Sequence, residues 1–205
     1  MDLFEYTGRK ESLSSSPLSS RMRPKNIDEF VGQEHILGKG KPLYNLVQNK
    51  LIPSMIFWGP PGTGKTTLAK IIAEKSDMNF KSLSAVSSGL SDIRKISDEI
   101  IFQKSSSSKK TVLFLDEIHR FSKSQQDSLL PLIEEGILIL IGATTEHPGF
   151  SIINPLISRV KIFKFNPHNE KSINSILNKI VENKAVLLNH SNICLLYTSD
   201  AADER

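Results

Sequence analysis

The chain has 205 residues, of which 39% are hydrophobic and 23% are charged, and this composition predicts one folded domain or one domain with part of a second. The 26 Lys and Arg residues exceed the 22 Asp and Glu residues by a net charge of +4, which permits nucleic-acid contact without arguing for it. A single cysteine excludes an intramolecular disulfide and a cysteine-based metal site, and no run of about 18 apolar residues is present to span a membrane, so we expect a cytoplasmic protein without a membrane partner.

The first 20 residues are predicted to form a flexible N-terminal segment. Residues 12–20 read SLSSSPLSS, a serine-rich composition typical of tethers. The opening residues MDLFEYTGRKES lack the apolar stretch of a signal peptide.

A glycine-rich loop lies between a predicted strand at Ser54–Trp58 and a helix that begins near Thr67. Its sequence GPPGTGKT fits G-x-x-x-x-G-K-[ST], a pattern whose backbone N–H groups and helix N-terminus bind phosphate. In this pattern the Lys65 ammonium would contact the β- and γ-phosphates of ATP, and the Thr66 hydroxyl would bind Mg²⁺. The predicted nucleotide-binding residues here are Gly59, Pro60, Pro61, Gly62, Thr63, Gly64, Lys65, Thr66 and Thr67.

Two acids follow the buried strand predicted at Thr111–Asp116, which comes after a strand at Asn79–Leu83 and a helix near Ser91–Lys104. At the carboxyl end of such a strand, acids face the crevice where ligands bind in open α/β sheets. We predict that Asp116 holds Mg²⁺ through water and that Glu117 is the general base that polarises the attacking water. The alternative is a strand that ends in a solvated acidic turn.

The next predicted strand, Leu138–Gly142, ends in the threonine-rich stretch GATTE. A hydroxyl group beside the acidic strand could contact the γ-phosphate or position the water, although a threonine turn alone would be ordinary loop chemistry. Before this strand, Ser122–Glu134 is predicted as a helix that Pro131 bends or ends early.

A short helical turn, NPLISR, precedes the last predicted strand, Val160–Phe165, for which we expect one basic face. After it, His168–Lys184 shows the spacing of an amphipathic helix and is predicted to open a helical lid. The five histidines show no metal-ligand spacing and are predicted to be structural or surface residues. The elements together predict a doubly wound α/β fold with a five-stranded parallel sheet.

The C-terminal residues 194–205, CLLYTSDAADER, do not continue the lid pattern. The stretch resembles the in-frame translation of a transposon-based sequencing adaptor. We therefore expect a non-native tail at 194–205 and a lid truncated at residue 193.

The motifs GPPGTGKT, LFLDE and GATTE and the Ser158–Arg159 pair together resemble the AAA+ ATPases in their order and spacing. Three longer stretches are similar to the replication-associated recombination protein A family of the clamp-loader clade: PLSSRMRPKNIDEFVGQEHILGKGKPL at 17–43, FLDEIHRFSKSQQDSLLPLIEEG at 114–136 and LIGATTEHPGFSIINPLISR at 140–159. The resemblance implies a P-loop NTPase AAA+ core at 21–166, with the start of a helical lid at 167–193.

The resemblance also implies roles for residues that spacing alone does not assign. Thr145 matches sensor 1, with Thr144 as the alternative if the register differs by one. Arg159 matches the arginine finger, which acts on the nucleotide of a neighbouring subunit. Val31 and Gly32 match the segment that packs on the adenine, for which a plain N-terminal turn is the alternative.

The family implies an ATPase stimulated by DNA, acting in replication, recombination and repair at stalled forks, gaps and single-strand/duplex junctions. Its implied partners are DNA, further copies of the chain in a ring of four, and single-stranded DNA-binding protein or other replisome components at the bacterial nucleoid. Two alternatives stay open: a non-catalytic, ATP-responsive scaffold subunit, and a Holliday-junction or helicase-type motor, because Asp116–His119 spells a DExH box. The complete set of Lys65, Asp116 and Glu117 favours catalysis over a scaffold.

Overall fold

The computed structural model of the chain describes residues 21–106 and 109–182. The predicted N-terminal segment 1–20, the end of the predicted lid at 183–193 and the predicted tail 194–205 lie outside the described residues. Lys25–His168 form one compact unit, and the described residues 21–24 and 169–182 belong to a second. The domain limits expected from the sequence, 21–166 and 167–193, stay predictions.

A parallel sheet of five strands forms the centre of the larger unit, as predicted. Its strands lie in the spatial order β2-β3-β4-β1-β5, and every neighbouring pair is parallel. The final strand, β5, is an edge strand, whereas β3, β4 and β1 are enclosed on both sides. The strands are β1 (Met55–Trp58), β2 (Asn79–Ser84), β3 (Thr111–Asp116), β4 (Leu138–Thr144) and β5 (Lys161–Lys164).

Helices connect the strands and pack on both faces of the sheet, as crossovers between parallel strands require. The larger unit contains α1 (Glu34–Leu37), α2 (Pro42–Gln48), α3 (Lys65–Lys75), α4 (Leu90–Ser106), α5 (Lys123–Asp127), α6 (Leu130–Glu134), α7 (Pro148–Ser151) and α8 (Asn154–Ile157), with a 3₁₀ turn at Ile118–Arg120. The smaller unit contains α9 (Glu170–Glu182), whose apolar side chains include the exposed Ile173, Leu177 and Val181.

The helix predicted at Ser122–Glu134 ends early, and a second helix follows it. Ser122 caps α5 in a capping box with Gln125, which satisfies amide groups at the helix start. Pro131 lies in the first turn of α6, where its missing N–H group costs no helical hydrogen bond. The break therefore comes just before the proline.

The buried strands place alternate side chains on opposite faces of the sheet. On β3, Val112 and Phe114 belong to the cluster that contains α3, whereas Leu113 and Leu115 belong to the cluster of the other face. All four side chains are buried, because helices cover both faces. This continuous apolar sequence is what identifies β3 as an internal parallel strand.

The prediction that β5 has one basic face is wrong. Lys161 and Lys164 are both exposed, but they lie three residues apart and therefore point to opposite sides of a strand with a two-residue period. Phe163 is the buried side chain of this edge strand, and it contacts the ring of Phe57.

The strand register places three loops at one edge of the sheet. Trp58 of β1 pairs with Thr144 of β4, and Leu115 of β3 pairs with Gly142 of β4. Since parallel strands share a direction, the chain segments that follow β1, β3 and β4 all leave from this edge. The glycine-rich loop, the acidic pair and the threonine-rich stretch are thereby brought together.

Candidate nucleotide site

The glycine-rich loop runs from the end of β1 into the first turn of α3. Gly62 and Gly64 adopt left-handed backbone angles, with φ of 75° and 90°, which side chains disfavour. A Cβ atom on Gly64 would lie 2.6 Å from the ring of Phe30, and one on Gly59 would clash with the carbonyl of Phe165. The loop thus needs glycine both for its turns and for close packing on its neighbours.

The N-terminus of α3 is left available for an anion. Gly64 is the N-cap residue and provides no side-chain cap, so the first-turn amide groups remain donors at the positive end of an 11-residue helix. Thr66 lies half-buried in that first turn. Thr63 is buried and its hydroxyl donates to the Pro60 carbonyl at 2.9 Å, which fixes the loop conformation.

The Lys65 side chain is buried, with 8% of the residue exposed, and its ammonium lies against the loop. It donates to the carbonyl oxygens of Gly59 at 2.6 Å and Pro60 at 2.7 Å. Burial lowers the pKa of Lys65 from its usual value, while the carboxylates of Glu117 and Asp116 oppose that change. A desolvated cation thus lies near two acids at the carboxyl edge of the sheet.

Asp116 and Glu117 follow directly from β3. Asp116 pairs in register with Ser84, and its carbonyl accepts from the amide of Ala85, which fixes the backbone at this point. Glu117 adopts a left-handed conformation with φ of 54°, which is uncommon for a residue with a side chain. Such a conformation at the edge of a ligand crevice redirects the carboxylate relative to the strand.

The sequence did not indicate that His119 contacts this pair. It lies in the 3₁₀ turn, its side chain is 5% exposed, and its Nδ1 atom is 3.2 Å from Glu117 Oε2. The same Nδ1 atom is 3.0 Å from the Thr144 hydroxyl. The available signal was its position two residues after Glu117; the partner on β4 follows only from the register of the sheet.

The two candidate sensor threonines differ in their surroundings. Thr144 is fully buried, and its hydroxyl both accepts from the Glu146 amide and donates to the Glu146 carbonyl. Thr145 is exposed at the same edge of the sheet. The structure therefore gives Thr144 a fixed hydroxyl and gives Thr145 access to solvent, and the sensor assignment stays a prediction.

Arg159 lies near the start of β5, whereas the predicted adenine segment follows Phe30, whose ring packs against Gly64 of the glycine-rich loop. The Arg159 side chain is 39% exposed, and its guanidinium pairs with Glu134 at 2.5 Å and donates to the Pro155 carbonyl at 2.7 Å. Val31 is half-buried, Gly32 is buried, and the following Gln33 exchanges two hydrogen bonds with the backbone of Asn166. These bonds tie the segment to the chain just after β5, and its contact with adenine stays a prediction.

No helix among residues 21–106 and 109–182 has the length and apolarity needed to cross a membrane. The same part of the chain holds no group of three or more His, Cys, Asp or Glu side chains that could bind a metal ion unaided. A cation held here by Thr66 and Asp116 would therefore need further ligands, and phosphate oxygens and water are the ones that Mg²⁺ commonly keeps.

Comparison with known proteins finds a matching family model and similar proteins. The family model described as "ATPase family associated with various cellular activities (AAA)" matches residues 55–168. Replication-associated recombination protein A of Haemophilus influenzae is 48% identical over 166 residues, 81% of this chain and 37% of that protein. ATPase WRNIP1 of Dictyostelium discoideum is 46% identical over 175 residues, 85% of this chain and 20% of that protein.

A solved structure agrees with the fold. The RuvB Holliday junction branch migration motor of Thermotoga maritima superimposes with a TM-score of 0.64 at 32% identity, covering 78% of this chain and 54% of that one. The chain thus spans less than two fifths of the length of the two curated relatives and about half of the RuvB chain.

Proposed function

The chain belongs to the ATPase family associated with various cellular activities (AAA), and on that premise we propose that it binds and hydrolyses Mg-ATP in the service of DNA replication, recombination and repair. The proposal rests on the position of the Lys65 ammonium, which is buried against the glycine-rich loop. The charges of Glu117 and Asp116 act on this ammonium and favour its protonated form. A triphosphate would replace the loop carbonyls as its partner.

The residues present fit a nucleotide and its metal. The uncapped amides of α3 and Lys65 supply donors for phosphate oxygens, and Thr66 and Asp116 would hold Mg²⁺. Bound there, Mg²⁺ would neutralise charge that develops on the phosphate oxygens. Of the chain's own groups, the Glu117 carboxylate accepts a proton from the attacking water, and Lys65 stabilises the anionic phosphates.

Further copies of the chain complete the proposed machine. Arg159 would act on a neighbour's nucleotide within a ring, a tetramer by family resemblance, and Thr145 or Thr144 would contact the γ-phosphate or the water. Val31 and Gly32 would pack on the adenine. The names of the relatives refer to replication-associated recombination in one case and to Holliday junction migration in another, which supports DNA as the partner.

We place the protein at forks, gaps and single-strand/duplex junctions of the bacterial nucleoid, where single-stranded DNA-binding protein and other replisome components would be its neighbours. With no base-reading motif in the sequence, contact with DNA would be made mainly to the phosphate backbone and would weaken with salt.

The proposal is tested by ATP binding and hydrolysis of the full-length protein, with and without gapped or forked DNA. Lys65→Met should weaken Mg-ATP binding by about 10- to 100-fold, since a charge-assisted hydrogen-bond partner of the phosphates is lost. Lys70→Met, which removes an exposed lysine from the same helix, is the matched control and should bind normally. Equal affinities of the two variants would refute the proposed site, and tight binding without any hydrolysis would favour the scaffold alternative.

A Holliday-junction motor is the second candidate, and the likeness to the RuvB structure is the observation that favours it. Such a motor would move a four-way junction when ATP is hydrolysed. A fluorescence assay on synthetic four-way junctions and on gapped duplexes distinguishes the two: ATP-dependent branch movement supports the motor, and ATPase stimulation by gaps without branch movement supports the first proposal.

A further inference from the structure

His119 is placed where it can control the orientation of Glu117. Its side chain is 5% exposed, whereas that of Glu117 is 32% exposed, so a buried imidazole lies beside a partly accessible carboxylate. Two acceptor groups face the same imidazole atom: Glu117 Oε2 at 3.2 Å and Thr144 Oγ1 at 3.0 Å from Nδ1.

The partners of Nδ1 indicate that this nitrogen carries a hydrogen, while Nε2 lies 3.8 Å from Glu146 Oε1. An ionised carboxylate only accepts hydrogen bonds, so a bare Nδ1 would place two lone pairs against each other. The Thr144 hydroxyl already donates to the Glu146 carbonyl and accepts from the Glu146 amide, which leaves it a second acceptor position for the imidazole. The contact with the Glu117 carboxylate therefore indicates a hydrogen on Nδ1, which Thr144 can share as a second acceptor.

Thr144 continues the network to the phosphate-binding loop. Its backbone carbonyl accepts from the amide of Gly59, the first residue of the loop, at 3.1 Å. The carbonyl of Gly59 in turn accepts from the Lys65 ammonium. Glu117, His119, Thr144, Gly59 and Lys65 thus form one continuous chain of contacts across β3, β4 and β1.

We propose that His119 is a positioning residue, whose Nδ1–H group holds the Glu117 carboxylate against the end of β4 and so ties the orientation of the general base to the phosphate-binding loop. The inference rests on the proposed ATPase function. The left-handed backbone at Glu117 supports it, because the turn that follows brings the side chains of residues 117 and 119 together. His119 touches no reacting atom in this account and acts through Glu117.

Replacement of His119 separates this role from a merely structural one. His119→Ala should lower kcat by about tenfold, the effect of losing one hydrogen bond to a charged group, and should leave the Kd for Mg-ATP within about twofold. His119→Asn should restore most of the rate, because its amide nitrogen lies near the position of Nδ1, whereas His119→Gln, whose nitrogen approximates Nε2, should not. His35→Ala, which removes an exposed histidine of α1, is the control and should leave kcat unchanged.

The coupling to Glu117 is tested in a double-mutant cycle. If His119 acts through the carboxylate, His119→Ala should cost nothing further in a Glu117→Gln background. Additive losses, an unchanged or raised kcat in His119→Ala, or equal losses in the Ala and Asn variants would overturn the proposal.

A measurement independent of activity uses ¹H–¹⁵N NMR of the imidazole rings. The proposal requires a hydrogen on His119 Nδ1 and a change in that resonance on Glu117→Gln; a hydrogen on Nε2 alone would refute it. Failure of the wild-type protein to hydrolyse ATP would refute the proposed function, and the NMR result would still decide whether His119 holds Glu117.

Discussion

Two regions of the molecule carry charged residues of the predicted ATPase, and they differ in how their side chains are partnered. At the carboxyl edge of β1, β3 and β4, Lys65 is buried against its own loop and interacts electrostatically with Glu117 and Asp116. At the start of β5, Arg159 is exposed and pairs with Glu134 of α6. The first region brings the groups that we propose bind phosphate together within one chain, whereas the second keeps a cation on the surface.

The contrast suggests a division of labour in the proposed oligomer. The buried region would bind nucleotide in cis, and its geometry is fixed by strand register and loop packing. The exposed region would act in trans, and the Arg159–Glu134 pair would have to open when a neighbour's nucleotide is engaged. Exposed ion pairs are worth only about 0–1 kcal/mol, so the pair is a weak restraint on such a rearrangement.

Removal of Arg159 should have the largest effect if that division holds. Arg159→Ala should lower the ATPase rate of the assembled protein by about 10³- to 10⁵-fold, the range known for arginine fingers, with little change in ATP affinity. Steady-state turnover with gapped DNA measures the loss. Arg94→Ala, at an exposed position of α4, is the control, and a rate for Arg159→Ala like that of Arg94→Ala would exclude a role in trans.

Glu117→Gln comes next in expected size. Loss of the general base should slow the chemical step by about 10²- to 10⁴-fold while ATP stays bound, because the phosphate-binding groups are intact. Single-turnover hydrolysis and nucleotide retention on a filter test both parts. Glu135→Gln supplies an exposed Glu-to-Gln control, and normal turnover in Glu117→Gln would remove this residue from the base role.

Glu134→Gln should have the smallest effect and the opposite sign. Without its carboxylate, Arg159 is released from the surface pair, and turnover in the assembled protein should rise by up to about fivefold, which corresponds to the upper worth of an exposed pair. Parallel rate measurements on Glu134→Gln and Glu135→Gln reveal the difference. A fall in rate would show that Glu134 supports the finger instead of restraining it.

The sequence predicts a feature well when residues close together in the chain determine it. The glycine-rich loop is specified by consecutive residues, so its position between β1 and α3 was predictable, and the continuous apolar run of β3 placed the acids at a strand end. Proline chemistry likewise indicated the break between α5 and α6.

Contacts between distant residues were not predictable in the same way. His119 meets Thr144 across 25 positions, and Gln33 meets Asn166 across 133, because the sheet and its edges bring them together. The pairing of Arg159 with Glu134 likewise requires the packing of α6 near α8. The basic face expected of β5 failed for a simpler reason, since its two lysines are an odd number of residues apart.

Burial of Lys65 also determines the direction in which protein stability and nucleotide affinity change with pH. Because the pKa of Lys65 is lowered in the folded chain, the unfolded chain binds more protons at pH values between the lowered pKa and the usual 10.5. The free protein should therefore gain stability as pH rises through that window. Bound phosphate favours the ammonium, so nucleotide affinity should fall over the same window.

Direct titration of the Lys65 ammonium tests whether a desolvated cation in the loop binds a triphosphate. The titration uses ¹³C NMR of the labelled side chain, with the resonance assigned by comparison with Lys65→Met. We predict a pKa below 10.5 in the free protein and a rise in that pKa when a non-hydrolysable Mg-ATP analogue is added. A pKa at or above 10.5 in the free protein that does not respond to the analogue would contradict it.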